Sequence, residues 1–197
     1  MMIADPRRTS GSAVPTELGT RLVFSELYRE HLGFVWRGAR GLGVVPAAID
    51  DVVQEIFVVV HRRLHEFAGR SSVRTWLSGI MLNVVRHHRR HVRRKSPHEL
   101  TRGEPADPDA LEAPGRDPYQ AAVQAEEARL VHQILEGIDD EKREVFVLVE
   151  LEDMPVPEIA EALGIKLNTA YSRLRLAREE FERAVMRHQA GERRSQG

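Results

Sequence analysis

Residues 168–178 carry polar side chains whose spacing suits contacts with the bases of DNA. Asn168, Tyr171, Ser172 and Arg175 recur at steps of three, one and three, so they share one side of a helix. Amide, hydroxyl and guanidinium groups are the groups that read base edges in the major groove. The residues predicted to contact DNA here are Asn168, Thr169, Tyr171, Ser172, Arg173, Arg175 and Arg178.

A helix-turn-helix between Met154 and Arg178 is predicted to hold this polar face in place. Gly164 lies where the chain must turn, and glycine accepts the left-handed conformation that such turns often need. The side chains expected to point inward are Ile159, Ala160, Leu163, Ala170, Leu174, Ala177 and Phe181. A helix packed on one side and polar on the other can lie in the major groove. The alternative is an ordinary helical hairpin with a solvated outer face.

A second candidate site for nucleic acid is the basic stretch from Arg86 to Lys95. Six of its ten residues are Lys or Arg and three more are His, so phosphates are its natural counter-ions. The preceding loop at residues 65–73 contains Phe67, and Trp76 follows it. A loop and an aromatic ring beside a basic helix can hold a strand and accept an unstacked base. The alternatives are a frayed, solvated helix end and a core position for Trp76.

An acidic cluster forms a third candidate site, for a protein partner. Asp50, Asp51, Gln54 and Glu55 lie opposite the apolar stripe of a predicted helix. They either complement the helix dipole or form a docking face for a partner that presents arginines. No nucleophile or metal motif accompanies them, so they are a weak candidate for acid–base catalysis.

Two histidine pairs, His61/His65 and His87/His91, have the i, i+4 spacing that can chelate zinc. The catalytic zinc pattern needs a glutamate where Arg62 stands, and adjacent arginines repel a cation. We therefore predict no metal site and no cofactor.

The composition is typical of a helical intracellular protein. Charged residues make up 30% of the chain and aromatic residues 6%, and strand-like alternation is nearly absent. A net charge of −1 excludes a globally basic coat protein for nucleic acid but permits local basic patches. The sequence has no cysteine, no signal-peptide core and no run that approaches a membrane span. A cytoplasmic protein without membrane insertion is expected.

The elements that position these clusters divide the chain into two small all-α domains. Residues 1–16 are predicted to be a disordered tail, residues 17–95 a domain of three to four helices, and residues 96–117 a flexible, acidic, proline-rich linker. Residues 118–187 are expected to form the helix-turn-helix domain, and residues 188–197 a second disordered tail. Helices are expected from about Thr16, from Pro46 and from Ser71 or Ser72, then from Pro118 and from Asp139 or Asp140.

With these motifs in order, the chain resembles a sigma-70 family RNA polymerase sigma factor of the small extracytoplasmic-function (ECF) group. Residues 50–57, DDVVQEIF, are similar to the polymerase-binding segment of the family's second conserved region, and residues 73–83 to its promoter-melting segment. The basic helix that follows resembles the reader of the minus-ten element. Residues 143–178 are similar to the fourth conserved region, which binds the minus-thirty-five element. Both signatures in order, with a polar linker between them, are highly specific.

The resemblance implies a role for each cluster. Asp50, Asp51, Gln54 and Glu55 would bind the clamp helices of the largest polymerase subunit, and the flap of the second-largest subunit is a further implied contact. The residues implied to contact minus-ten DNA are Phe67, Arg70, Ser71, Ser72, Arg74, Trp76, Asn83, Arg86, Arg89, Arg90 and Arg93. The turn at residues 67–72 and Asn83 would capture a flipped base. An anti-sigma factor is also implied, and no enzymatic activity, because polymerase performs the phosphoryl chemistry.

Two residues depart from the family pattern. His87 stands where many members carry Asp, and Ala170 stands where valine is common. The alternative function is a free-standing helix-turn-helix regulator with residues 20–95 as a sensor or dimerisation domain, which would bind a palindromic operator. A third reading, a metal-dependent hydrolase, depends on the histidine pairs alone.

Overall fold

The computed structural model describes residues 23–95 and 118–195, and every regular element within them is helical, as predicted. The first half, residues 23–95, contains α1 (Phe24–Gly41), α2 (Ile49–Arg63) and α3 (Val73–Lys95), with short 3-10 turns at Pro46–Ala48 and Leu64–Glu66. The second half, residues 118–195, contains α4 (Pro118–Glu136), α5 (Asp140–Phe146), a π-helical turn (Val147–Leu151), α6 (Val156–Leu163) and α7 (Leu167–Ser195). The predicted N-terminal tail, the start of the first helix near Thr16 and the linker at 96–117 lie outside the described residues.

The first half is built on the apolar stripe of α2. Its buried side chains recur at helical spacing and are Ile49, Val52, Val53, Ile56, Phe57 and Val60. Leu27, Val35 and Ala39 of α1 are buried against it, whereas Tyr28 keeps 41% of its surface exposed. Because one face of α2 is fully covered, its opposite face is left for solvent or a partner.

α3 is a single continuous helix that links the core to the basic stretch. Of the two predicted caps, Ser72 is the one that acts: its Oγ accepts the backbone N–H of Thr75 at 3.1 Å. Leu77, Ile80 and Met81 anchor the first turns in the core. The residues from Arg86 onward therefore continue a rigid element and are held in a fixed direction.

The second half positions its helix-turn-helix through caps and a glycine turn. Asp139 caps α5, since its Oδ1 accepts the N–H of Glu141 at 3.1 Å. Gly164 has φ +64°, and the N–H of Ile165 returns to the carbonyl of Ala160 at 3.0 Å. The inward positions on α7 behave as predicted: Ala170, Leu174 and Ala177 are buried, and Phe181 stacks on Phe146 with ring centroids 4.9 Å apart.

α7 continues through Ser195, whereas the predicted boundary of the domain was residue 187. The stretch from His188 to Ser195 lacks an apolar stripe, which is why the sequence suggested a tail. It consists mostly of good helix formers, however, and extending an existing helix avoids the cost of nucleation. Gly191 lies within it at an exposed position, and a single glycine costs a helix only about 1 kcal/mol relative to alanine.

The two halves pack against each other along α1 and α3. A Cβ added at Gly41 of α1 would lie 2.8 Å from Cγ1 of Val147, so the π-helical turn approaches α1 closely. Ser78 of α3 donates to Sδ of Met154 at 3.2 Å. Buried side chains of both halves form one continuous apolar cluster. The domains expected from the sequence are therefore joined by a packed seam as well as by the chain.

Candidate nucleic-acid interface

The outer face of α7 presents the predicted base-reading groups to solvent. Asn168, Tyr171, Ser172 and Arg175 are exposed, and Thr169 is half-buried. They lie opposite the packed stripe, so the turn at Gly164 and the core of the second half fix the direction in which they point. The arrangement provides a projecting helix with donors and acceptors along one side, as major-groove reading requires.

The three arginines of α7 that are predicted to contact DNA each have an acidic neighbour. Nη1 of Arg175 lies 2.5 Å from Oε1 of Glu179 on the next turn, and both side chains are largely exposed. Nη2 of Arg178 lies 2.6 Å from Oε1 of Glu150, and Arg173 pairs with Glu141. Exposed pairs of this kind contribute well under 1 kcal/mol. Their carboxylates can therefore be exchanged for phosphates at little cost.

The arginines of the basic stretch on α3 face the second half of the molecule. Nε and Nη2 of Arg86 donate to the two carboxylate oxygens of Glu144 at 2.6 and 2.5 Å. Arg89 and Arg93 both bind Asp140, at 2.8 and 3.0 Å. Arg90 lines the same cavity between the halves but is exposed. The basic stretch thus contains arginines paired with carboxylates of the second half and others that remain open to solvent.

Residues at the start of α3 also bind glutamates of the second half. Arg74 crosses to the second half, where its Nη2 donates to the carbonyl oxygen of Glu152 at 2.7 Å and lies 3.5 Å from the Glu152 carboxylate. Ser72 donates to Oε2 of Glu158 at 2.8 Å, and Thr75 donates to the same oxygen. These hydrogen bonds from Thr75 and Ser72 lower the pKa of Glu158 below its usual value.

The remaining minus-ten candidates are half-buried or exposed. Phe67 and Trp76 are half-buried and contact each other with ring centroids 5.3 Å apart. Ser71 is half-buried, and Arg70 and Asn83 are exposed. Trp76 therefore belongs neither wholly to the core nor wholly to the surface, and the Phe67–Trp76 pair forms an aromatic edge beside the turn at residues 67–72.

The acidic cluster on α2 is fully presented to solvent. Asp50, Asp51, Gln54 and Glu55 are all exposed on the face opposite the buried stripe. A groove between α1 and α2 adjoins them, and its apolar lining includes Tyr28, Leu32, Phe57 and Val58. Asp50 and Gln54 lie at the rim of this groove. The face combines carboxylates with an apolar surface, which suits a protein partner.

The histidines form no metal-binding group within the part of the chain that the structure describes. His61 packs edge-on against Phe24 with centroids 4.9 Å apart, and His87 and His91 are exposed. Burial lowers the pKa of His88, which lies between them on α3, and outweighs the opposing effect of Glu55. At the two departures from the family pattern, the exposed His87 lies within the basic stretch, and Ala170 is fully buried.

The acids that meet α3 were not found by the sequence reasoning. Asp140, Glu144, Glu152 and Glu158, here called the acidic seam, come from four separate places in the second half. In the sequence Asp140 resembles a helix cap. Nothing in the sequence marks Glu144, Glu152 and Glu158 as partners of side chains that come 58 to 86 positions earlier in the chain. Only the three-dimensional packing brings them together.

Among the helices described, none combines the length and the apolar character needed to cross a membrane.

Two family models match the chain in the order of its halves. Sigma-70 region 2 matches residues 27–95, which include α1, α2 and α3. Sigma-70 region 4 matches residues 128–181, which include the helix-turn-helix.

Relatives and solved structures agree with these matches. The RNA polymerase sigma factor CnrH of Cupriavidus metallidurans is 33% identical over 164 residues, covering 81% of this chain and 85% of that protein. The ECF RNA polymerase sigma-E factor of Haemophilus influenzae is 29% identical over 140 residues, covering 70% and 74%. The structure of CnrH in complex with the cytosolic domain of CnrY has 28% identity and a TM-score of 0.60, covering 82% and 86%.

A fold likeness extends further. The sigma factor RpoE of Bartonella quintana, solved in complex with the anti-sigma factor NepR, has 18% identity and a TM-score of 0.62, covering 83% of this chain and 96% of that one. With both conserved regions present in order and a relative that is 33% identical over most of its length, the chain belongs to the sigma-70 family of RNA polymerase sigma factors, in its ECF group.

Proposed function

We propose that this sigma factor, which directs core RNA polymerase to specific promoters and initiates transcription, divides promoter recognition between its two halves. The observation that carries the proposal is the exposed polar face of α7, packed on a helix-turn-helix, in a chain whose other half ends in a basic helix. The second half reads the minus-thirty-five element through Asn168, Thr169, Tyr171, Ser172, Arg173, Arg175 and Arg178. Amide and guanidinium groups reach base edges, and the flanking arginines bind phosphates.

The first half binds the minus-ten element. The exposed Asn83 and the aromatic edge of Phe67 and Trp76 support capture of an unstacked base. Arg70, Ser71, Ser72 and Arg74 hold the strand near the turn, and Arg86, Arg89, Arg90 and Arg93 hold its backbone. Phosphate contacts position the strand, while the pocket for the base provides sequence preference.

Polymerase binds through the acidic face of α2. Asp50, Asp51, Gln54 and Glu55 contact the clamp helices of the largest subunit, and the second half contacts the flap of the second-largest subunit. The solvent exposure of the four side chains supports this assignment, because they take no part in the core. Each DNA surface alone is small, so polymerase supplies the fixed spacing that makes the two bind together.

The proposed cellular location follows from these partners. The chain acts in the cytoplasm, and polymerase performs the chemistry, so no catalytic residue is assigned to the chain itself. An anti-sigma factor is a further proposed partner, since the related CnrH has been solved with the cytosolic domain of CnrY.

A free-standing regulator with residues 20–95 as a sensor is not favoured. Those residues match Sigma-70 region 2 from residue 27 to 95, a module with its own place in the family. The metal-dependent hydrolase has no support in the described residues, which hold no group of potential metal ligands.

The proposal is tested with purified chain, core polymerase and a randomised promoter library in a run-off transcription assay. We expect selective transcription from a subset of promoters, and no operator-like binding of duplex DNA by the chain alone. A second arm uses the double variant Asp51→Ala/Gln54→Ala, with Glu127→Ala/Gln133→Ala as a control of similar side chains on the exposed side of α4.

The α2 variant should lose co-elution with core polymerase while retaining its helix content, and the α4 control should co-elute normally. Normal co-elution of the α2 variant would remove these residues from the core-binding site. Tight palindromic binding by the chain alone, without polymerase, would instead favour the free-standing regulator.

A further inference from the structure

We propose that in the free chain the second half masks the minus-ten surface with carboxylates that take the places of DNA phosphates. The acidic seam engages five of the residues assigned above to minus-ten DNA, namely Ser72, Arg74, Arg86, Arg89 and Arg93. The inference rests on the proposed function for the identity of the masked surface. The contact between the two halves does not depend on that assignment.

The geometry at Arg86 is that of phosphate recognition. Its Nε and Nη2 donate to the two oxygens of Glu144 in parallel, at 2.6 and 2.5 Å. A guanidinium binds a phosphate through the same two-pronged arrangement. A carboxylate and a phosphate therefore compete for one site, and Arg86 cannot hold both with this fork.

At Asp140 one carboxylate serves two residues of the basic stretch. It lies 2.8 Å from Arg89 and 3.0 Å from Arg93, which are one turn apart on α3. A DNA backbone following this side of α3 would have to displace Asp140 from both. Arg90 lines the same cavity but stays exposed, so the mask leaves part of the basic stretch uncovered.

Burial makes the masked arrangement specific. The side chains of Glu144 and Glu152 are 8% and 1% exposed. Carboxylates this deeply buried are stable only next to cations, and Arg37, Arg74 and Arg86 supply these from the first half. When the halves separate, the acids regain water and the arginines regain access to phosphate. Opening therefore exchanges one set of charge partners for another.

The mask does not extend to the other binding surfaces. The outer face of α7 and the acidic face of α2 are both exposed in the same arrangement. The closed chain can therefore still meet polymerase through α2, while its minus-ten surface becomes available only after the second half has moved. This order of events would suppress binding of the free chain to single-stranded DNA.

The first test weakens the mask and measures the separation of the halves. The variant Glu144→Gln/Glu152→Gln/Glu158→Gln removes three carboxylates and keeps Asp140, which also binds the buried Arg143. The matched control, Glu127→Gln/Glu136→Gln/Glu182→Gln, makes the same change in charge at exposed positions of the second half. Because the chain has no cysteine, spin labels can be placed uniquely at Arg29→Cys and Gln133→Cys, one in each half.

We expect a longer and broader distance distribution for the mask variant, and the parental distribution for the control, both without polymerase or DNA. Circular dichroism reports whether the helix content of the chain is retained. A mask variant with the parental distance distribution would overturn the proposal. The distance measurement needs no promoter. It can therefore refute the masking while wild-type transcription succeeds, and it can support the masking even when the promoter assignment is wrong.

The second readout is binding to a fluorescent single-stranded DNA of degenerate sequence at several salt concentrations. Opening releases four arginines, Arg74, Arg86, Arg89 and Arg93, from their carboxylates, so the slope of log affinity against log salt should steepen by about 2 to 3. The control has the same net charge but no newly available arginine, and its slope should stay within about 0.7 of the parental value. Equal slopes for the two variants would refute the masking.

A covalent lock covers the case in which the mask variant does not fold. A Cβ at Gly79 of α3 would lie 3.8 Å from the backbone carbonyl oxygen of Ala162 in α6, so the two helices are close enough for Gly79→Cys/Ala162→Cys to be joined by a short thiol-reactive linker that reduction can cleave. The locked chain should bind the single-stranded DNA more weakly than the same protein after reduction or before linking. Unchanged binding after locking would contradict the proposal.

Discussion

Adding one methyl group at Gly41 should strain the seam between the two halves. A Cβ at this position would lie 2.8 and 3.1 Å from the two γ-carbons of Val147 and 3.2 Å from Cδ1 of Leu151. Val147 is β-branched and fully buried, so it has no free rotamer into which to retreat. Over-packing of a fixed core costs about 1–3 kcal/mol. Gly41 ends α1, so the offsetting gain in helix propensity is less than about 1 kcal/mol.

Gly38→Ala provides the matched comparison on the same helix. Its Cβ would lie 2.7 Å from Sδ and Cε of Met81, the flexible end of an unbranched side chain that can move aside. Gly38 also lies inside α1, where alanine gains about 1 kcal/mol over glycine. The structure therefore predicts a near-neutral or stabilising change at Gly38 and a net loss of about 1–2 kcal/mol at Gly41.

Urea or thermal unfolding of the two variants, followed by circular dichroism, measures this difference. A loss of about 1–2 kcal/mol corresponds to a decrease in Tm of about 2–8 °C for a chain of this size. If Gly41→Ala unfolds at the same temperature as Gly38→Ala or above it, then α1 and the π-helical turn do not pack closely in solution. The seam on which the masking depends would then have to be given up.

Two further predictions concern recognition and pH. Arg175→Ala should reduce discrimination at the minus-thirty-five element by about 1–3 kcal/mol, with little change in stability because its pair with Glu179 is exposed; an unaltered upstream preference in transcription from a promoter library would contradict this. Burial lowers the pKa of the His31 imidazole below its ordinary value of 6.5; Glu30 opposes this effect, and Arg74 adds a smaller one in the same direction as burial. Acid therefore protonates His31 in the unfolded chain before it does so in the folded chain. The contribution of His31 to stability is complete above about pH 6.5 and declines as the pH falls. Stability should therefore decrease from pH 7.5 to 5.5, and by less in His31→Leu; identical pH profiles would exclude His31 as a source of the dependence.

Periodicity was sufficient to predict the helices that carry the candidate sites. The steps from Ala170 to Phe181 specify which side of α7 is packed, and by elimination which side is left open for the proposed contact with DNA. A cap at Ser71 or Ser72 could be predicted because a serine before an apolar run favours a helix start, and the structure selects Ser72. These features depend on neighbours within about one turn, and the sequence displays such neighbours directly.

The seam could not be predicted in this way. Arg86 and Glu144 are 58 positions apart, and an arginine in a basic run looks the same whether its partner is a phosphate, water or a distant carboxylate. The π-helical turn at Val147–Leu151 is equally hidden, because an apolar run fits it and an α-helix alike. Pairing across elements depends on how the halves dock, and no local periodicity encodes that choice.

The balance of charges connects this docking to the weakness of each DNA surface. With 29 basic and 30 acidic side chains, the chain can attract DNA only where the two signs are separated in space. Glu141, Glu150 and Glu179 pair with arginines of α7, and the acidic seam pairs with arginines of α3. In the proposed promoter complex, phosphates replace carboxylates at most of the arginines assigned to DNA, which yields little net energy at a single surface. Under this proposal, selective binding requires that both surfaces exchange partners in one event while polymerase holds them at the spacing of the promoter.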